Sequence, residues 1–124
     1  MNRYGFEAAK WEEAKNEARA ILIERAKVRG LISYSDLMYQ ITSIKMDPHD
    51  VRISPFLEEI SLAEHSGGRP LITAIVTHKT GDMQPGHGFY ELAKKLGKDI
   101  TDLTKCWVEE FKKVHSYWEK KGCD

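Results

Sequence analysis

Residues 71–78 read Leu71-Ile72-Thr73-Ala74-Ile75-Val76-Thr77-His78 and are the one convincing strand pattern in the chain. Most of these side chains are β-branched, and both alternating faces are apolar apart from threonine, which is typical of a short strand buried on both sides. A strand requires a partner, and the pattern offers two candidates, residues 29–33 and residues 51–53. The sequence leaves the choice between them open.

Long amphipathic helices are predicted at both ends of the chain. The first spans about residues 6–28, where apolar residues recur every three or four positions, and Gly30 is expected to stop it. The last spans about residues 101–121, and its expected buried face consists of Leu103, Trp107, Phe111, Val114 and Trp118.

Three shorter helices are predicted between these two. Ser33 with Asp36 forms a capping box, which predicts a helix that buries Tyr34, Leu37, Met38 and Ile41. After a loop over residues 42–53, Ser54-Pro55 predicts a helix that ends at Gly67-Gly68 and buries Phe56, Leu57, Ile60 and Ala63. A short helix over residues 89–96 follows the strand.

This order predicts a mostly helical α+β fold in a single domain over residues 1–124, a usual length for one domain. Its centre is compatible with a winged helix, in which the second and third helices form the helix-turn-helix and residues 71–78 begin the wing. The long terminal helices bracket this centre. Such a likeness carries no function by itself.

Charge and hydropathy limit the classes of partner. Nineteen basic residues balance nineteen acidic ones, whereas a protein built mainly to bind nucleic acid is usually basic. Residues 47–66 carry one basic and five acidic residues, and residues 67–98 carry five basic and two acidic ones. No apolar run approaches the ~20 residues of a membrane helix, and the N-terminus lacks a secretory signal. We therefore expect a cytoplasmic protein without a membrane partner.

The turn-rich segment His78–Gly88 is the candidate site. Pro85-Gly86-His87-Gly88 precedes a helix, whose N-terminus offers free N–H groups and a partial positive charge. A phosphate or carboxylate could be held there by Arg69, Lys79, Gly86, His87 and Gly88. The alternative is a tight turn in which the glycines supply positive φ angles. The motif is neither a Walker loop nor a dinucleotide fingerprint.

A catalytic interpretation uses nearby carboxylates. Metal-assisted phosphodiester chemistry needs clustered carboxylates and a cation close by, and the candidates are Glu59, Glu64, His78 and Lys79. Glu59 and Glu64 are about 140° apart on an ideal helix, so they do not share a face. The histidine and cysteine spacings match no zinc signature, and no metal site is predicted. No cofactor is predicted, and a divalent metal is expected only if this enzyme alternative holds.

A motif order also suggests kinship. Gly68-Arg69-Pro70, an apolar strand, a Lys-containing turn, Pro85-Gly86-x-Gly88-Phe89 and Leu92-Ala93 follow one another. This order resembles a family of small, uncharacterised bacterial proteins, and the resemblance extends to the closing aromatic helix. No activity is established for that family, so the resemblance implies kinship and no chemistry.

Three classes of function remain open from the sequence. The first is a small intracellular winged-helix-like module that binds nucleic acid or a protein partner, and it is the favoured one. The second is an anion- or nucleotide-binding protein, or a metal-assisted phosphodiester enzyme, that uses the His78–Gly88 loop. The third is a structural subunit that forms a homodimer through a terminal helix.

Overall fold

The computed structural model of the protein describes residues 2–47, 49–78 and 85–122. The helices in these ranges are α1 (Ala8–Lys27), α2 (Tyr34–Gln40), α3 (Ile53–Ser66), α4 (His87–Lys95) and α5 (Leu103–Gly122), together with a 3₁₀ helix (Ile72–Ile75). The strands are β1 (Asn2–Arg3), β2 (Phe6–Glu7), β3 (Ile32–Ser33) and β4 (Val76–Thr77). The mostly helical α+β class is therefore confirmed.

The two long helices enclose the centre of the molecule. α1 and α5 pack against each other, and both contact the 3₁₀ helix. α1 buries the predicted stripe through Trp11, Ala14, Ala18 and Leu22, and its alanines allow a close approach of the neighbouring elements. The helix ends at Lys27, and Arg29, rather than Gly30, takes the left-handed conformation that follows it (φ 56°).

The strand predicted over residues 71–78 is mostly wrong. Val76–Thr77 alone form a strand within this segment, and Ile72–Ile75 form the 3₁₀ helix, although every residue from Leu71 to Thr77 is buried as expected. In this helix the Thr73 backbone N–H donates to Ser61 Oγ (3.3 Å), and the two hydroxyls lie 2.6 Å apart. A side chain on α3 thus satisfies a backbone group that a strand would have paired with a ladder partner.

The partner of β4 is one of the two predicted candidates. β3 lies parallel to β4, with Ile32 opposite Val76 and Ser33 opposite Thr77. The other candidate, residues 51–53, leads into α3 instead. A second, antiparallel pair of β1 and β2 was not predicted, and it turns through Tyr4 (φ 54°) and Gly5 (φ 86°).

The winged-helix arrangement stays a prediction. A helix-turn-helix joins its two helices by a turn of about three or four residues, whereas residues 41–52 separate α2 from α3. The pairing of β3 with β4 is parallel, so these two strands do not form a hairpin.

The predicted buried face of α5 is confirmed at Val114 and Trp118 and is wrong at Leu103, Trp107 and Phe111. Cys106, Glu110, Val114 and Trp118 are buried, whereas Leu103 is 45% exposed, and Trp107 and Phe111 are only partly buried. Polar contacts explain the difference from the prediction. Glu110 accepts a hydrogen bond from the Leu71 N–H (2.8 Å), and His115 Nε2 lies 2.9 Å from the Gly30 carbonyl oxygen. These contacts turn the helix toward backbone groups of the core.

α3 departs from its prediction in the same way. Phe56, Leu57 and Ile60 are buried as expected, but Ala63 is exposed and Glu64 is buried in its place. The helix begins at Ile53 with Arg52 as its N-cap residue, two residues earlier than Ser54-Pro55 predicts.

Neither α1 nor α5, nor any other helix in the ranges described, has both the length and the apolar composition needed to cross a lipid bilayer.

Cys106 is a buried free thiol whose pKa is raised by burial and by the nearby Glu110 carboxylate. Cys123 lies outside the described residues.

Glu17 makes the stability of one loop dependent on pH. Hydrogen bonds from the side chains of Ser43 and Thr42 are the main cause that lowers the pKa of Glu17 from 4.5 to about 2, and the carboxylate also accepts bonds from the backbone N–H groups of Thr42 (3.1 Å) and Ser43 (3.0 Å). A lowered folded-state pKa contributes stability that is present above pH 4.5 and is lost as the pH falls toward 2.

We therefore expect Glu17→Gln to destabilise the protein at pH 6 and to make its stability fall less between pH 4.5 and pH 2. Urea unfolding at several pH values measures this change. Glu13→Gln, at an exposed position on the same helix, is the control. Parallel curves for the wild type and Glu17→Gln would contradict the assignment.

Candidate ligand-binding cleft

The parallel strands β3 and β4 place one side chain each at their carboxyl ends, at the same edge of the pair. Tyr34 directly follows β3, and His78 directly follows β4. Because the strands are parallel, their carboxyl ends meet, and the two rings lie 5.1 Å apart between centroids. In open α/β sheets, ligands bind beyond the carboxyl ends of the strands.

A cleft of about 480 Å³ opens at this edge, which is within the size range of small-molecule sites. Its walls come from the first residues of α2, α3 and α4 and from the segment that precedes α3. The apolar lining consists of Val51, Ile53, Leu57, Phe89 and Leu92. The polar lining includes Tyr34, Ser35, His49, Asp50, Ser54, Glu58, Thr73, His78 and His87.

Gly86 and Gly88 lie close to side chains of α2 and α3. Neither has a positive φ angle, so the prediction that they supply one is wrong for both. A Cβ atom on Gly86 would lie 2.8 Å from Tyr34 Oη, and one on Gly88 would lie 2.4 Å from Ser54 Oγ. The absence of side chains therefore lets the start of α4 approach both α2 and α3.

The N-termini of α3 and α4 meet in the cleft without side-chain caps. The N-cap residues are Arg52 and Gly86, which carry no side-chain acceptor, so neither helix has a side-chain cap. Within the described part of the chain, the backbone N–H groups of Ser54, His87 and Gly88 donate to no protein acceptor. All three residues line the cleft, and orphan amides of this kind bind anions.

Tyr34 adds a hydroxyl group to these amides. Its oxygen accepts a hydrogen bond from the Gly86 N–H (2.6 Å), and burial raises its pKa above the usual 10.0. The hydroxyl is therefore protonated at neutral pH. A tyrosine oxygen that accepts one bond retains its hydrogen for donation.

The two carboxylates that line the cleft, Asp50 and Glu58, are paired with cations. A hydrogen bond from the Arg52 side chain, with Arg52 Nη2 2.6 Å from Asp50 Oδ2, is the main cause that lowers the pKa of Asp50 to about 2. Glu58 lies 3.2 Å from Lys95, and Glu91 lies 2.9 Å from the His87 ring. These pairs reduce the repulsion that an incoming anion would meet.

The other candidate residues belong to different clusters. Glu64 is fully buried and accepts hydrogen bonds from Arg19 and Arg69. Glu59 Oε1 accepts from the Trp11 indole and from Lys15, both at 3.0 Å. Lys79 lies outside the described residues.

The structure thus gathers only part of the candidate set. His78, Gly86, His87 and Gly88 line one cleft, whereas Glu59, Glu64 and Arg69 are not part of its lining. The sequence missed several polar residues of the cleft, and two of them offer hydroxyl groups: Tyr34 was assigned to the core, and Ser54 was assigned only a capping role. The adjacency of Ser54 to a helix start was the available signal for the second of them.

A metal centre has no basis in the part of the chain that the structure describes, where no three His, Cys, Asp or Glu side chains group closely enough to hold an ion.

Comparison with protein-family models, with curated proteins and with solved structures gives no match to this chain.

Proposed function

We propose that the protein binds a small organic anion, with a phosphate or carboxylate group, in the cleft beside β3 and β4. The observation that carries this proposal is the convergence of two uncapped helix N-termini, those of α3 and α4, in one cavity. Each N-terminus contributes a partial positive charge of about half a unit.

The donors have complementary roles. The N–H groups of Ser54, His87 and Gly88 would bind the anionic oxygens, and the Ser54 and Tyr34 hydroxyls would complete the set. His78 lies beside Tyr34, and its ring can offer one further hydrogen-bond donor. The apolar lining would enclose the rest of the ligand.

The winged-helix proposal for nucleic acid receives less support. α3, the helix that would enter the groove, contains no Lys or Arg, and it carries Glu58, Glu59 and Glu64. Proteins that bind the phosphate backbone supply Lys or Arg there.

Homodimerisation through a terminal helix also receives less support. α1 and α5 pack against each other within one chain. The apolar stripe of α1, and the buried face of α5, are therefore already used inside the protein.

Titration of the ¹⁵N-labelled protein with inorganic phosphate tests the proposal. We expect the amide resonances of Ser54, His87 and Gly88 to shift together, because their N–H groups are the proposed donors. Tyr34→Phe should weaken phosphate binding about tenfold, since a hydrogen bond to a charged group contributes about 1.5 kcal/mol or more.

Tyr39→Phe is the matched control, because Tyr39 lies on the same helix and is 84% exposed. Gly88→Ala should weaken binding as well, since its Cβ atom would crowd Ser54. Phosphate shifts that are confined to surface lysines, or that leave these three amides unmoved, would contradict the proposal.

A further inference from the structure

A second groove lies where the segments that follow α3 and α4 meet α5. Its volume is about 420 Å³, which is within the size range of small-molecule sites. Its lining includes one carboxylate and three cations, those of Glu110, Arg69, Lys98 and Lys113. This basic groove shares no lining residue with the cleft beside β3 and β4.

The same backbone motif places Arg69 and Lys98 at the basic groove. Each follows a glycine with a positive φ angle just after its helix, Gly68 (76°) after α3 and Gly97 (83°) after α4. The N–H group of each cation donates to the carbonyl oxygen five residues earlier, at 2.9 Å for Arg69 and 3.0 Å for Lys98. These bonds close a Schellman motif at both helix ends. The backbone at the two cations is therefore fixed by its own hydrogen bonds.

Buried carboxylates fix the two side chains as well. The Arg69 Nε group donates to Glu64, which is fully buried. Lys98 Nζ lies 3.2 Å from Oε1 of Glu110, which is only 3% exposed. Glu64 also accepts from Arg19, so the charge of Arg19 offsets that of Glu64 and leaves Arg69 in excess. A cation that is held in this way loses little rotamer entropy when a ligand binds.

Both cations keep hydrogen-bond donors for a ligand. The side chains of Arg69 and Lys98 are 29% and 27% exposed. In the part of the chain that the structure describes, Arg69 uses only Nε, so its two terminal NH2 groups retain four N–H donors. Lys98 retains two of its three donors. Lys113 adds a third ammonium group, which is exposed and pairs with no carboxylate in the described ranges.

We infer that the basic groove binds the phosphate group of a small phosphate monoester. Three cations against one carboxylate leave an excess of two positive charges, and a phosphate monoester carries about −1.5 to −2 at pH 7. The terminal NH2 groups of Arg69 would donate to two phosphate oxygens at once, and Lys98 and Lys113 would bind as point charges. A carboxylate or a phosphodiester carries a single negative charge and leaves part of this excess uncompensated.

Methyl phosphate and dimethyl phosphate test this site on the intact protein, because the first is a monoester with close to two charges and the second is a diester with one. Titrations of the ¹⁵N-labelled protein at about 0.15 M salt follow the amide resonances of Arg69, Lys98 and Lys113. We expect these three amides to shift. Methyl phosphate should bind about tenfold tighter than dimethyl phosphate, because the second charge strengthens its bonds to all three cations.

Lys113→Ala should weaken the binding of methyl phosphate about fivefold or more, because it removes one of the three cations. Its urea midpoint should remain that of the wild type, since Lys113 is exposed. Lys112→Ala is the matched control. Lys112 is the adjacent exposed lysine of α5 and does not line the groove, so its removal should change the affinity less than about twofold at this salt concentration.

Three outcomes overturn the inference. They are the absence of a shift at the three groove amides, equal affinities for the two esters, and equal losses of affinity in the two lysine variants, which would indicate unspecific attraction to surface charge. Shifts of Ser54, His87 and Gly88 report binding in the cleft separately. The failure of either site is therefore distinguishable from the failure of the other.

Discussion

Glu64→Gln is expected to lower the free energy of unfolding by about 3 kcal/mol, because the two hydrogen bonds that Glu64 accepts from charged partners contribute about 1.5 kcal/mol each. The Glu64 side chain is fully buried, and its two oxygens accept hydrogen bonds from Arg19 and Arg69. Arg19 also lies over the Trp118 ring, 5.5 Å from its centroid. A neutral amide would leave two guanidinium groups without their shared counter-charge.

Urea unfolding of Glu64→Gln beside Glu24→Gln measures this effect. Glu24 pairs with Lys27 on the surface of α1, where such pairs contribute about 0–1 kcal/mol. Equal stability losses for the two variants would show that Glu64 is not structural. If Glu64→Gln shows the large loss, a binding defect of this variant at temperatures where the variant unfolds reflects unfolding. A catalytic role for Glu64 would then need independent evidence.

Trp11→Ala should destabilise the protein by about 3–5 kcal/mol, the usual cost of removing a large buried aromatic ring. Trp11 has no exposed surface and packs edge-to-face against Phe56 at 5.2 Å between ring centroids. Its indole N–H donates to Glu59 (3.0 Å), so the substitution also removes a hydrogen bond between α1 and α3.

The matched comparison is Trp107→Ala, since Trp107 is only partly buried although its indole N–H donates to the Ala74 carbonyl (2.8 Å). We expect a clearly smaller loss for Trp107→Ala in the same denaturant measurement. A larger loss at Trp107 than at Trp11 would contradict the observed faces of α1 and α5.

The spacing of apolar residues along the sequence predicted most helices, but it did not predict the full buried faces of α3 and α5. The stripe of α1 followed from apolar spacing, because its buried residues are all apolar. α3 and α5 bury Glu64 and Glu110, whose partners Arg19 and Leu71 lie far away in sequence. No periodicity reveals such partners, so a hydrophobicity pattern assigns these positions to solvent.

The sequence predicted only some of the residues that line the cleft. The glycine segment and His78 stand close together in the sequence, and turn chemistry marked them. Tyr34 and Ser54 reach the same place through the β3–β4 pairing and the packing of α3 on α4. Their approach depends on tertiary structure, which the spacing of residues along the chain does not encode.

The parallel pairing of Ile32 with Val76 has a consequence for partly folded chains. Helices form from local contacts, whereas the pairing of β3 with β4 closes a loop that contains both α2 and α3. The chain must close this loop before the contacts between the two strands can stabilise the structure. A chain with its helices formed but this loop open has Tyr34 and His78 apart and therefore has no cleft. A ligand of the cleft would bind only chains that have closed the loop, and it would draw intermediates toward the native state by mass action.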